Sequence, residues 1–311
     1  MIYDLIIIGL GPAGVTAGIY ANRYELKTLI LGKEMGGMAN EAFRVENYPG
    51  FKSLAGIELM GKFKENLDYL KVPYQLKDIE KIEKTEDGFK VFTGDEIYQA
   101  KAVILATGTE VKRLNIPGER ELAGKGVSYC ATCDGQFFKN KTVAVIGAGD
   151  AGATTCLMLS GIAKKIYWVY IEEEPIAMPF WLEKLEGIDK IEKISQNILL
   201  EIKGEKKVEK IILDKEHQGK KEIEVDGVFV LIGVSPVANL VKDLGINLDK
   251  AGHVVVDEKQ ETNKKGFFAA GDVTTSSYRF KQIITACSEG AIAAFGAYQY
   301  IKGIKINRPV V

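Results

Sequence analysis

Two cysteines separated by two residues, Cys130 and Cys133, with Asp134 directly after them, are the residues of this chain best suited to redox chemistry. A dithiol at this spacing closes into a small disulfide and reopens, so it stores two electrons. One thiol must be exposed and readily ionised to attack a partner disulfide, and the other resolves the mixed disulfide. Asp134 adjoins the pair and can hand a proton to a departing thiolate. The pair stands between two glycine-rich loops, Gly9-Leu10-Gly11-Pro12-Ala13-Gly14 and Gly147-Ala148-Gly149-Asp150-Ala151-Gly152. Loops of this kind bind dinucleotides, which indicates where the electrons come from. Each motif alone is weak evidence; their order along one chain is strong.

The loops must be presented by strands and helices. Tyr3 to Ile8 is an apolar run that enters the first loop, Val15 to Arg23 reads as helix, and Thr28 to Leu31 returns as a second apolar strand. This is the strand–helix–strand order of a buried parallel sheet. It recurs with Thr142 to Ile146, the second loop, a helix from Ala153 to about Gly161, and Ile166 to Tyr170. Within the first loop, Gly9 permits the tight turn, Gly11 lets the backbone approach a pyrophosphate and Gly14 allows close helix–strand packing. Phosphates would sit on the unpaired N–H groups at the helix start. An acid usually closes the second strand to hold the ribose, and here that place reads Leu31-Gly32-Lys33-Glu34, an imperfect match.

The tail, Gly266-Phe267-Phe268-Ala269-Ala270-Gly271-Asp272, is a strand ending on glycine and aspartate, followed by a small-residue helix from about Ile283 to Tyr300. Nothing there begins a third domain. The second unit is therefore expected to be inserted into the first, with crossings near Lys112 to Pro117 and Gly233 to Pro236. The expected fold is α/β, two doubly wound Rossmann-like domains of three layers. One comprises residues 1–113 and 236–311, and the other residues 114–235, carrying the dithiol.

Length agrees with about two domains. With 41 basic residues against 42 acidic, no global field recruits nucleic acid or an anionic membrane. No apolar run approaches the ~20 residues of a membrane span. The amino terminus lacks the basic start of a signal peptide. Four cysteines do not make a secreted disulfide framework, so a cytoplasmic protein is expected. No metal site is expected, because zinc needs a second ligand pair and Cys156 and Cys287 are isolated. His217, in a charged turn, and His253, before a strand, are read as solvated or structural. Trp168 and Trp181 are read as packing residues, Cys156 as an ordinary helix residue, and the charged stretches Lys203 to Lys210 and Lys215 to Glu224 as an exposed hairpin or meander.

Over essentially its whole length the chain resembles the low-molecular-weight, FAD-containing thioredoxin reductases of the bacterial and archaeal type. The resemblance rests on Gly9 to Gly14, Gly36-Gly37-Met38, Val45-Glu46-Asn47-Tyr48-Pro49-Gly50, Ala106-Thr107-Gly108, Cys130 to Gly135, Gly147 to Gly152, Gly271-Asp272-Val273 and Lys281-Gln282-Ile283. It implies FAD contacts at Gly9, Gly11, Pro12, Ala13, Gly14, Gly36, Gly37, Met38, Asn47, Gly108, Asp272, Val273, Lys281, Gln282 and Ile283, with Asp272 near the ribityl chain. Met38 departs from the glutamine usual in the family. The resemblance also implies Cys133 as the sulfur facing the flavin, Cys130 as the one that attacks thioredoxin, and Asp134 as proton donor. It implies a homodimer, and a rotation between the domains that hinges at the two crossings.

At the second loop the resemblance weakens. Members that use NADPH follow the second strand of that domain with a basic cluster gripping the 2′-phosphate, whereas here the stretch reads Tyr170-Ile171-Glu172-Glu173-Glu174-Pro175-Ile176. At an effective dielectric near 20, like charges ~4 Å apart repel by about 4 kcal/mol. NADPH is thus the least favoured donor. The helix also lacks the family's two glutamates, and Val234 replaces a histidine common in the Gly233 to Pro236 turn. Gly147, Gly149, Gly152 and Glu172 remain a candidate second nucleotide site, since a carboxylate at a strand end accepts from a ribose 2′-hydroxyl and would favour NADH. Alternatively the loop persists only as a turn and the glutamates are a solvated run. Some relatives take electrons from reduced ferredoxin or a deazaflavin, and this reading stays open beside NADH. Two rivals to a disulfide reductase are a ferredoxin–NAD(P) oxidoreductase of the same fold, against which the dithiol argues, and a flavin-based redox-sensing binding protein, whose expected effector segment is missing.

Overall fold

A computed structural model describes residues 2–94, 96–277 and 280–304. The chain divides into two compact units, Met1–Glu110 with Ser235–Val311, and Val111–Val234.

The first unit is organised around β1 (Ile2–Leu10), whose Leu5 to Ile8 are almost inaccessible to solvent. A strand covered on both faces needs no alternation, which is why it reads as one apolar run. It pairs in parallel with β2 (Thr28–Met35). Helix α1 (Pro12–Arg23) lies between them in sequence, with Gly11 as its N-cap. Proline at the first helical position needs no hydrogen-bond partner and has its φ preset, so the helix starts before the apolar periodicity at Val15 shows it. The sheet continues through α2 (Gly56–Tyr69), β3 (Tyr74–Leu76), β4 (Lys81–Thr85), β5 (Gly88–Thr93) and β6 (Glu96–Leu105), in the order β3-β2-β1-β6-β5-β4.

The chain leaves this unit along β7 (Thr109–Val111). In the second unit, β8 (Val127–Ser128) leads to the short helix α3 (Ala131–Asp134), then β9 (Thr142–Ile146), α4 (Asp150–Ser160), β10 (Lys165–Val169), α5 (Pro179–Leu185) and β11 (Ile191–Ile194). An antiparallel sheet of β12 (Leu199–Lys203), β13 (Lys210–His217) and β14 (Lys220–Glu224) precedes β15 (Gly227–Val230). The parallel sheet runs β11-β10-β9-β15-β8. Residues of α4 and α5, with Trp168 and Trp181, form the core on one face. On the other face the core is filled by Leu199, Ile202, Ile211, Leu213 and Ile223 of the antiparallel sheet. The third layer is therefore a sheet, and the charged stretches read as an exposed hairpin or meander belong to it, exposed or half-buried except at Val208 and Ile223.

The chain returns along β16 (Val234–Pro236), which pairs with β7. Then β17 (Phe267–Ala269) adds to β6 in parallel and α6 (Ile283–Lys302) packs on α1. The small residues of α6, including Ala293, Ala294 and Ala297, are fully buried, which lets the two helices approach closely.

Candidate redox and nucleotide sites

The dithiol sits where β8 passes into α3. Cys130 and Cys133 are joined as a disulfide with Cα atoms 5.4 Å apart. Cys130 caps the helix, its Sγ accepting from the Cys133 N–H at 3.2 Å. Cys133 is exposed, while Cys130 and Asp134 are half-buried. Two residues that the spacing alone does not reveal fix the motif. Buried Ser128 donates from Oγ to Asp134 Oδ2 at 2.6 Å, and accepts from the Cys130 N–H at 3.1 Å. Fully buried Glu119 accepts from the N–H groups of Leu114 and Asn115 and from the Tyr129 hydroxyl, at 3.0, 2.6 and 3.0 Å. Tyr129 is thereby tied down beside Cys130. The ring of Phe137, just beyond the dithiol, is 73% exposed.

In the first unit, the residues expected at the flavin come from six segments of the chain. The N-terminal turn of α1 carries no acid and Gly11 no side chain, so its amides are open to an anion. A Cβ added to Gly11 would find nothing nearer than Gly36 O at 3.8 Å, and one added to Gly37 nothing nearer than Gly11 Cα at 3.8 Å. Pro12 and Ala13 open the helix, and Met38 lies in the 3₁₀ turn Gly37–Glu41. Gly271 lies against Ala13, placing Asp272 near the same helix end. Asn47 Nδ2 donates to Gln282 Oε1 at 2.9 Å, and Gln282 precedes Ile283 at the start of α6. Gly108 lies beyond β6, its carbonyl accepting from Val237 N–H. Val273 has no exposed side chain and can offer only backbone to a ligand. The open glycine face, the uncapped helix start and the polar Asn47–Gln282 pair fit a dinucleotide.

The Asp272 carboxyl is moved out of its ordinary range. Burial pushes its carboxyl up to about 6, Lys281 pulls it down, and Glu289 pushes it up again. Sequence reasoning missed Glu289, a buried carboxylate accepting from Gly271 N–H at 2.8 Å and Thr274 Oγ1 at 3.0 Å. Its signal was a lone acid on an otherwise small and apolar helix. Lys281 Nζ lies 3.0 Å from Nε2 of buried His253.

The second loop is built differently. Gly149 caps α4, but Asp150 occupies the first helical position and accepts from Met178 N–H at 2.7 Å. The Ile176 N–H donates to Ala148 O at 3.0 Å. The segment after β10 is thus fastened back onto the loop. Glu172 is half-buried, and its carbonyl accepts from Gln196 N–H. Burial raises the Tyr170 phenol to about 12, and Glu174 and Glu172 add to the shift. Lys165, at the other end of β10, pairs with Glu192. Among the described residues no cluster of three or more His, Cys, Asp or Glu is arranged for a metal, and no helix is long and apolar enough to cross a membrane.

Residues 3–290 match the pyridine nucleotide-disulphide oxidoreductase family. A thioredoxin reductase of Listeria innocua is 40% identical over 308 residues, covering 98% of this chain and 95% of that protein. The crystal structure of Lactococcus lactis thioredoxin reductase superposes with a TM-score of 0.92 at 38% identity, covering 97% of this chain and 99% of that one. That of a ferredoxin-flavin thioredoxin reductase from Clostridium acetobutylicum has a TM-score of 0.55 at 32% identity, covering 99% and 100%.

Proposed function

From the chain's membership of the pyridine nucleotide-disulphide oxidoreductase family, as a low-molecular-weight flavin thioredoxin reductase, we propose that it reduces a thioredoxin-type protein through Cys130 and Cys133 with a donor other than NADPH. It is an oxidoreductase acting on a disulfide, and the closed Cys130–Cys133 bond on α3 is the observation that carries the reading.

FAD would be held by the first glycine loop, Gly36, Gly37, Met38, Asn47, Gly108, Asp272, Val273 and Lys281 to Ile283, and would supply two electrons when bound. The chain's own residues do the rest. Cys130, whose Sγ accepts from the Cys133 amide in the closed form, attacks the partner disulfide as a thiolate. Cys133 then attacks Cys130 Sγ in the mixed disulfide, and the partner leaves as a thiolate that Asp134 protonates. Cys130→Ser and Cys133→Ser should each abolish thioredoxin reduction while flavin stays bound. Efficient trapping of the thioredoxin adduct by Cys133→Ser, and not by Cys130→Ser, is the expected assignment of the sulfurs.

The donor follows from the second loop. Glu172, Glu173 and Glu174 stand where a 2′-phosphate needs cations, and the segment through Met178 is bonded to the loop itself. NADH or a reduced ferredoxin-type protein is the donor on this reading. Anaerobic titration of the flavin absorbance with each donor in turn decides it. Rapid bleaching by NADH alone assigns a ribose to the region of Glu172, and bleaching by ferredoxin alone makes the second loop a turn without a ligand. Efficient reduction by low concentrations of NADPH overturns the reading. A cytoplasmic homodimer completes the proposal, its oligomeric state measured by light scattering on the eluting protein.

A further inference from the structure

We propose that Ser128 is a positioning residue of the exchange reaction, a hydroxyl swivel that holds Asp134 in both of its protonation states. The inference rests on Asp134 being the proton carrier for the dithiol. Ser128 ends β8, is buried, and has three polar neighbours at its Oγ: Cys130 N–H at 3.1 Å, Asp134 Oδ2 at 2.6 Å and Cys130 O at 3.3 Å. A hydroxyl has one proton and two lone pairs. One lone pair accepts from the Cys130 N–H, so the proton must serve either the Asp134 carboxylate or the Cys130 carbonyl.

Those alternatives match the two states of Asp134. As a carboxylate it takes the Ser128 proton in a charge-assisted bond. As a carboxylic acid protonated on Oδ2 it donates to the second Ser128 lone pair, and the Ser128 proton turns to the Cys130 carbonyl. Every partner is satisfied in both states with no heavy atom displaced. A buried hydroxyl bonded in one state alone would be left unsatisfied in the other.

The step this serves balances as follows. Cys133 thiolate attacks Cys130 Sγ, forming the Cys130–Cys133 bond and breaking the bond to the partner sulfur. Taken with the preceding attack of Cys130 on the partner disulfide, the cysteine pair is oxidised by two electrons and the partner is reduced by two. The departing thiolate takes the proton from Asp134, and the Ser128 hydrogen swings from the Cys130 carbonyl to Oδ2. Because the same side chain also holds the Cys130 amide, the proton carrier and the attacking sulfur are kept in one frame.

The test uses the full-length flavin-loaded protein, pre-reduced under anaerobic conditions, with single-turnover exchange against oxidised thioredoxin followed across pH. Ser128→Ala should slow exchange about tenfold at neutral pH, the rate equivalent of losing one hydrogen bond to a charged group, and should displace the pH–rate profile. Ser128→Thr keeps the hydroxyl and should restore both rate and profile to within about twofold. Asp134→Asn should be slow, and adding Ser128→Ala to it should slow it no further, because both act on one proton. Iodoacetamide alkylation of the reduced dithiol gives a second readout that needs no turnover. Its pH dependence should shift in Ser128→Ala and return in Ser128→Thr.

An unaltered rate and profile in Asp134→Asn would sink the proton-carrier reading on which the inference stands. A slow Asp134→Asn with a normal Ser128→Ala, or with additive losses in the double variant, overturns the role of Ser128 alone. So does a pH-independent loss in Ser128→Ala that threonine fails to rescue, which marks a merely structural residue.

Discussion

In each glycine loop a Cβ on the first glycine would fall 2.1 Å from the backbone oxygen just past a neighbouring strand, Ala106 O for Gly9 and Leu231 O for Gly147. One on the third glycine would strike the first glycine's carbonyl, at 1.9 Å for Gly14 and 2.1 Å for Gly152. The middle glycines differ from these. Gly11 has nothing closer than 3.8 Å, and Gly149 has nothing within 4 Å. Two glycines of each loop are therefore required by the turn and the helix–strand contact, whatever is bound; only the middle one leaves room for something outside the chain. The residues around the loops then part company. The first turn of α1 is free of acids, whereas α4 opens with Asp150, bonded to the segment that carries three glutamates. A glycine fingerprint testifies mainly to the fold, and its surroundings testify to the ligand.

The comparison breaks most visibly at the shared glycines. Gly9→Ala and Gly147→Ala should each cost more than about 4 kcal/mol, lowering Tm by on the order of 10 °C or preventing folding. Tolerance of one but not the other in thermal melts would show that the loops are not built alike. At the middle glycines, Gly11→Ala should weaken FAD at least tenfold, measured by flavin fluorescence, while changing flavin-free stability by no more than about 1 kcal/mol, the usual range for an N-cap glycine. Gly149→Ala should be equally harmless to stability. Its steady-state rate should stay within twofold with a ferredoxin-type donor, and its KM should rise about tenfold if the donor is NADH.

Charge sharpens the contrast next. The Asp272 carboxyl is raised from 3.8 to about 6, so its folded form holds a proton more tightly than its unfolded form. That contribution is present below pH 4 and lost as pH rises through 6. Asp272→Asn should stabilise the flavin-free protein at pH 8 by on the order of 1–2 kcal/mol, with the gain vanishing near pH 4, while lowering FAD affinity. Equal Tm differences at both pH values would contradict the shift. The smallest expected effect is at the second loop, where Glu172→Arg with Ile176→Arg should lower the KM for NADPH severalfold. No change would place the obstacle in the segment bonded to Ala148 and Asp150 rather than in its charge.

Much of this was legible beforehand for a physical reason. Strands such as Ile2–Leu10 and Thr142–Ile146 are buried on both faces and announce themselves as apolar runs. Helix starts were read three residues late in both units, because Pro12 and Asp150 are set by cap geometry rather than by an apolar stripe. The dithiol was legible from spacing. Ser128 and Glu119 were not, since a serine at a strand end or a glutamate in a turn is ordinary until a hydrogen-bonded partner is seen. His253, read as solvated or structural, is buried, and its Lys281 neighbour, 28 positions away in the chain, leaves no local trace.

The paired strands β7 and β16 have an evolutionary corollary. Val237 N–H donates to Gly108 O at 3.0 Å and Thr107 Oγ1 to Val237 O at 2.6 Å, so the first unit releases and recovers the chain at adjoining points. To that unit the whole intervening segment is one oversized hairpin loop. The entropy of closing a loop grows only with the logarithm of its length, so exchanging one insert for another changes the host little. The inserted unit is a cassette that can drift, shrink or be replaced wholesale at little cost to the fold of its host.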